Sequence, residues 1–198
     1  MSQDANTTGG AGSRDERTVY QELLVVRSQL GDRTALGELV GLWERRLAYY
    51  VRRLLAADND VQQVLQDVWL KVVAGIGSLH DPTRLAPWLY SLARFTAIDH
   101  IRDSSTRRQL LANVPVEALD GEAAESIARF DDAERVHRAL SQLGVVDREV
   151  LTLYFLDDLS VADVAAVLKI PVGTVKSRLY HARKALKAVL DQREGELR

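Results

Sequence analysis

The stretch that most constrains this chain runs from Leu159 to Leu190, LSVADVAAVLKIPVGTVKSRLYHARKALKAVL, and it reads as two helices joined by a tight turn. Ser160 followed by Asp163 has the form of a capping box, and Val161, Val164, Ala165, Val167 and Leu168 follow at helical spacing. Pro171 has no amide hydrogen to donate and pushes Ile170 away from the α region, so Lys169-Ile170-Pro171 ends that helix. A second helix opens near Val172 to Thr174. Val172, Val175, Leu179, Ala182, Leu186 and Val189 fall on one stripe of it, leaving Thr174, Lys176, Ser177, Arg178, His181, Lys184 and Lys187 outside. This is the layout of a helix-turn-helix whose second helix is presented outward.

The charge of that second helix separates it from an ordinary hairpin. Between Pro171 and Leu190 there are five basic residues, at 176, 178, 183, 184 and 187, and no acidic one, in a chain whose formal net charge is -2. A local basic helix in a mildly acidic protein is the footprint expected of phosphate contact. The start of such a helix is the part that enters a major groove, which puts Lys176, Ser177, Arg178, Tyr180 and His181 forward. A helix turns about 100° per residue, so they do not all face one way. Thr174, Ser177, Arg178 and His181 share one side, with Lys176 and Tyr180 at its flank. Lys184 and Lys187 lie further along, where a phosphate is the expected partner, and Arg183 beside them is counted with the DNA-binding residues.

The rest of the chain is read against this element. Its 198 residues, 46% of them hydrophobic, suffice for one moderate core or two small ones. Absence of cysteine removes disulfides and thiolate chemistry and is compatible with a reducing cytoplasm. No apolar run approaches the roughly 20 residues that span a bilayer, and no signal-peptide apolar region begins the chain. A cytoplasmic protein without a membrane span is the expectation.

In chain order, residues 1–16 are small and polar and are expected to form a disordered tail. Residues 17–108 keep a helical period. Tyr20, Leu23, Leu24 and Leu30 mark a first helix, closed by Gly31-Asp32. Ala35, Leu36, Leu39, Val40, Trp43, Leu47, Tyr50, Val51 and Leu54 mark a second. Asp58-Asn59-Asp60 starts a third that carries Val61, Val64, Leu65, Val68, Trp69, Val72 and Val73 inward, up to Gly75 and Gly77. After a loop at 78–84, a fourth helix turns Trp88, Leu89, Leu92, Ala93, Ala97, Ile98 and Ile101 inward and Arg94, His100 and Arg102 mostly outward. Residues 109–132 break the pattern and read as a flexible connector, with the second helical domain at 133–191 and a short tail at 192–198. The fold class is all-α, two small helical domains on a tether.

No constellation for catalysis or metal binding stands out: the four histidines, at 80, 100, 137 and 181, are scattered, and no glycine-rich phosphate loop follows a strand. No cofactor is expected. A stand-alone helix-turn-helix regulator with an N-terminal sensor bundle fits the same pattern, and would bind its operator unaided.

Three segments carry a family resemblance: DNDVQQVLQDVWLKVV (58–73), LAPWLYSLARFTAIDHIR (85–102) and DREVLTLYFLDDLSVADVAAVLKIPVGTVKSRLYHARKAL (147–186). In their order and separation they resemble regions 2.2, 2.3 to 2.4 and 4.1 to 4.2 of bacterial sigma-70 family sigma factors. The short connector, with no region 3 domain, resembles the extracytoplasmic-function subfamily (group 4). That resemblance implies a promoter-specificity subunit of RNA polymerase serving a stress or envelope response, with an anti-sigma factor as a further partner. Region 2 at 17–108 would bind the polymerase clamp and open the minus-10 element; region 4 at 133–191 would bind the flap and read the minus-35 element. The clamp would meet Gln62, Gln63, Gln66 and Asp67. Promoter melting would use the loop at 78–84 and the helix after it, with His80, Asp81, Arg84, Arg94, Asp99, His100 and Arg102 as candidates. The chain departs from the family at Gln62 and Gln63, where acids are usual, at Phe95, commonly asparagine, at Lys169, commonly glycine, and at His181, where arginine is frequent.

Overall fold

The computed structural model describes the backbone of residues 11–55, 60–111 and 131–196, and the side chains of 16–55, 60–105 and 136–192. Every element among the described residues is helical. The helices are α1 (Ala11–Gln29), α2 (Arg33–Leu54), α3 (Val61–Gly75), α4 (Leu85–Leu111), α5 (Asp131–Ser141), α6 (Val145–Leu151), α7 (Val161–Leu168) and α8 (Val172–Glu196). Short 3-10 turns at Ile76–Ser78 and Pro82–Arg84 join α3 to α4, and a single π turn at Thr152–Leu156 follows α6.

Each start and stop has a local cause. Asp32 caps α2 by accepting from the amides of Thr34 (2.9 Å) and Ala35 (3.1 Å), and Arg27 holds the same carboxylate at 2.6 Å. The Ala35 amide bond first, then the Arg27 contact, keeps the Asp32 carboxyl below its usual range. Gly31, at φ 90°, makes the left-handed turn out of α1 that a side chain would oppose. α3 differs from expectation at its start, since Asp60 makes no cap hydrogen bond and reaches His100 Nε2 at 3.2 Å instead. Asp58 and Asn59 lie outside the described residues, as do residues 1–10 of the expected tail and 112–130 of the expected connector. The helices run further than the sequence reading placed them: α1 begins at Ala11, not Arg17, α4 continues to Leu111, and α8 continues to Glu196.

The core of the N-terminal half is Leu24, Val25, Leu39, Trp43, Leu47, Tyr50, Val64, Val68, Leu89 and Tyr90, with Trp43 and Tyr50 each meeting Tyr90 edge-on at 6.0 and 5.1 Å. In α1 Leu24 is buried as expected, with Val25 beside it, while the expected inward residues Tyr20, Leu23 and Leu30 are exposed. Val73 and Ile101 are likewise exposed.

The two halves are packed together. α2 lies on α6 and α4 lies on α7, so one continuous set of buried residues runs from Leu24 to Ala182. The tethered, separate domains of the sequence reading are here a closed form.

Candidate nucleic-acid interface

The helix-turn-helix forms as its residues require. Ser160 Oγ accepts from the Asp163 amide at 3.1 Å and its hydroxyl donates to the Asp163 carboxylate at 2.6 Å, closing the first turn of α7. The helix ends on Lys169 in the left-handed conformation, φ 54° and ψ 46°, its amide returning to the carbonyls of Ala165 and Ala166. The turn thus takes, with a lysine, the backbone geometry that glycine adopts without strain. Val175, Leu179 and Ala182 are buried beneath α8, with Leu186 and Val189 packed against the same core.

That burial fixes which side of α8 faces out. Lys176, Ser177, Tyr180, His181 and Lys184 are exposed, and Thr174 and Arg178 are half-buried at the edge of the stripe. The Tyr180 and His181 rings meet edge-on at 5.3 Å, forming an aromatic ridge beside the lysines. Arg183 does not join them. Its guanidinium stacks 4.7 Å over Phe155 and 5.6 Å from Tyr154, on the side of α8 turned toward the π turn. There it borders a hollow of about 490 Å³ lined by Val136, Leu140, Leu151, Phe155, Leu186 and Leu190 among others. Sequence spacing grouped Arg183 with Lys184; the aromatic pair at 154 and 155 draws it away.

The second cluster lies on α4 and the loop before it. Gln29 Nε2 donates to the carbonyls of Ile76 (3.0 Å) and Leu79 (2.8 Å), which anchors the loop to α1. Asp81 accepts from the Thr83 hydroxyl (2.6 Å) and amide (3.0 Å), and these bonds hold its carboxyl below the usual range. His80 is exposed beside it. Along α4 the candidates separate. Asp99 and His100 border a hollow against α3 together with Asp67, Lys71, Thr96 and Asp103, and Arg102 sits 3.9 Å from Asp99. Arg94 turns to the opposite side, where its Nε donates to Glu149 at 2.9 Å, and Arg84 pairs with Asp163. Arg84 and Arg94 are therefore engaged by carboxylates of the C-terminal half.

Two residues that the sequence left unassigned, or assigned to the core, stand out here. Phe95 is 52% exposed on the outward side of α4, with Lys71 Nζ 5.0 Å from its ring centroid and held there by donating to Thr96 Oγ1 at 2.9 Å. Val73 is exposed together with Leu70 on α3, continuing the line of exposed Gln62 and Gln66. Gln63 is also exposed and donates to the half-buried Asp67 at 3.2 Å. The sequence reading carries Val73 inward with Val72; the helix phase fixed by the buried Val64, Val68 and Val72 turns it outward beside Leu70.

Two family models match the chain, one in each half. Residues 39–107 match the family description "Sigma-70 region 2" and residues 133–186 match "Sigma-70, region 4". The chain is 32% identical over 178 residues to the RNA polymerase sigma-H factor of Pseudomonas aeruginosa, covering 84% of this chain and 92% of that one. It is 29% identical to the ECF RNA polymerase sigma-E factor of Escherichia coli K12 (83% and 91% covered) and 26% identical to the ECF RNA polymerase sigma factor SigW of Bacillus subtilis (81% and 91%). Among solved structures, CnrH in complex with the cytosolic domain of CnrY superposes with a TM-score of 0.61 at 26% identity, covering 87% of this chain and 98% of that one. The sigma factor RpoE of Bartonella quintana, solved with the anti-sigma factor NepR, gives 0.64 at 24% identity, covering 78% and 96%, and supports the fold. An all-helical chain with a region 2 bundle and a region 4 helix-turn-helix is a sigma factor, a promoter-specificity subunit of RNA polymerase. This chain belongs to the sigma-70 family, in its extracytoplasmic-function branch. The stand-alone regulator is not favoured.

Proposed function

We propose that α8 reads the minus-35 element with Lys176, Ser177, Tyr180 and His181, flanked by Thr174 and Arg178, while Lys184 holds phosphate. The observation that carries this is the exposed side of α8, basic and aromatic and free of acids from Pro171 to Leu190. Arg183, stacked on Phe155, belongs instead to the apolar hollow, which suits the polymerase flap. On the N-terminal half, His80, Asp81, Asp99, His100 and Arg102 are polar edges for the melted minus-10 strand, and Arg84 and Arg94 join them once released from Asp163 and Glu149. Phe95 offers that strand a flat ring, and an unpaired base stacks on any such face. The α3 surface of Gln62, Gln63, Gln66 and Asp67, continued by Leu70 and Val73, docks on the clamp. Uncharged Gln62 and Gln63 shift that contact from charge toward apolar burial. Catalysis resides in the polymerase, the chain works in the cytoplasm, and an anti-sigma factor restrains it.

The test is run-off transcription by core polymerase from a library with a randomised minus-35 element. His181→Arg is expected to change the preferred base at one or two positions, because a guanidinium forks onto guanine and a neutral imidazole does not. An unchanged preference removes His181 from the base-reading set.

A further inference from the structure

Glu149 has no task in the helix-turn-helix. It is a carboxylate on α6 flanked by buried Val150 and Leu151, and it is itself buried. Both of its partners come from the other half: the Tyr50 hydroxyl donates to it at 2.8 Å and Arg94 Nε at 2.9 Å. Burial, and then the neighbouring carboxylate, push the Tyr50 phenol well above its ordinary value, so it stays a donor. Around this centre the same two halves meet in further places, Arg148 donating to the Arg53 carbonyl at 3.3 Å among them. Arg46 donates to the Asp157 carbonyl at 3.2 Å, Tyr49 Oη lies 2.6 Å from His137 Nδ1, Arg53 donates to Ser141 Oγ at 2.7 Å, and Arg84 pairs with Asp163. A buried charge left without its partners is strongly unfavourable, so the contact holds only while both halves supply it.

The closed form is too short for the task assigned to the chain. Minus-35 and minus-10 elements lie about 25 base pairs apart, roughly 85 Å at 3.4 Å per base pair. α4 packs directly on α7, and α7 on α8. Packed helices are about 8–10 Å apart, so α4 and α8 are within roughly 20 Å of each other. The two reading helices have to part before both elements are engaged.

We propose that Glu149 is the latch of an autoinhibited closed form: by accepting from Tyr50 and Arg94 it holds the C-terminal half over the arginine-bearing side of α4, and core polymerase selects the form in which this latch is open. In the closed form Glu149 and Asp163 occupy two arginines as DNA phosphates would. The inference rests on the reading of α4 and α8 as the promoter-contacting helices.

The native chain has no cysteine, so Thr34→Cys and Ala188→Cys accept a donor and an acceptor dye at defined, exposed positions on α2 and α8. Energy transfer in the free protein, without polymerase or DNA, reports the latch alone. Glu149→Ala is expected to lower transfer, and Tyr50→Phe, which keeps the ring and removes only the hydroxyl, is expected to lower it by less. Helical circular dichroism of both variants should match wild type. Unchanged transfer in both folded variants overturns the latch. With core polymerase, Glu149→Ala is expected to bind roughly tenfold tighter, since the apparent Kd is the intrinsic Kd divided by the open fraction. Lower transfer without tighter binding overturns autoinhibition. Failure of the promoter reading appears elsewhere, as absence of run-off transcripts from wild-type holoenzyme, and leaves the transfer measurement intact.

Discussion

Lys169 shows at the scale of one residue how much a sequence discloses. The Ser160 cap and Pro171 bound the turn without any coordinates, and glycine is the common residue where Lys169 stands. The structure adds that its backbone is left-handed, φ 54°, a conformation costing a side-chain-bearing residue about 1–2 kcal/mol. Lys169→Gly removes that strain but adds freedom to the unfolded chain. The expected net is a gain of up to about 1 kcal/mol in chemical denaturation, with unchanged helicity; a loss would mean that the lysine side chain contributes something its exposure does not disclose. Ser160→Ala should act in the opposite direction by about 1 kcal/mol, visible as a lower midpoint, because the Asp163 amide loses its acceptor. By contrast Glu149 was not legible. Its partners Tyr50 and Arg94 lie 99 and 55 residues away, and no local pattern announces a pairing over such separations.

At the scale of a helix, legibility follows how wide a stripe the helix buries. α2 buries Ala35, Leu39, Trp43, Leu47, Tyr50 and Val51, all of them on the stripe read from spacing. In α1 the stripe read through Tyr20, Leu23, Leu24 and Leu30 holds only at Leu24; Val25 is buried beside it and the other three are exposed. α8 lies between these cases: Val175, Leu179 and Ala182 fix its phase, while Arg183 is placed by two aromatics that belong to the π turn. The consequence for recognition is a division within one helix. Arg178→Ala is expected to cost roughly 1–3 kcal/mol on the preferred promoter, and Lys187→Ala to weaken all sequences alike and flatten the salt dependence of binding. Titrating holoenzyme against promoter variants at several salt concentrations distinguishes them; equal losses on every promoter for Arg178→Ala would make it a phosphate contact.

At the scale of the molecule, two helical domains were readable and their closure was not, because a tether leaves their relative placement open. Closure buries titratable groups, and these give it a pH dependence. His137 touches Tyr49 across the interface; burial first, then the nearby charge of Arg53, lowers its pKa from the ordinary 6.5. The hollow beside it is also bordered by Arg45, Arg46 and Asp157. A lowered histidine pKa means that the open form takes up the proton first, so the closed form is fully favoured above 6.5 and loses ground as pH falls below it. Asp157 acts in the other sense. Burial raises its pKa above 3.8 despite the Arg46 charge, and its Oδ2 and the Tyr90 hydroxyl are buried close together without a hydrogen bond of normal geometry. The closed form therefore gains again once pH drops through that raised value. Energy transfer between dyes at positions 34 and 188 should accordingly fall from neutral to mildly acidic pH and recover at lower pH. His137→Gln should flatten the first limb and spare the second, since Asp157 is untouched. If the first limb persists in His137→Gln, another group governs opening in that range, and the Tyr49–His137 contact is packing without a role in the equilibrium.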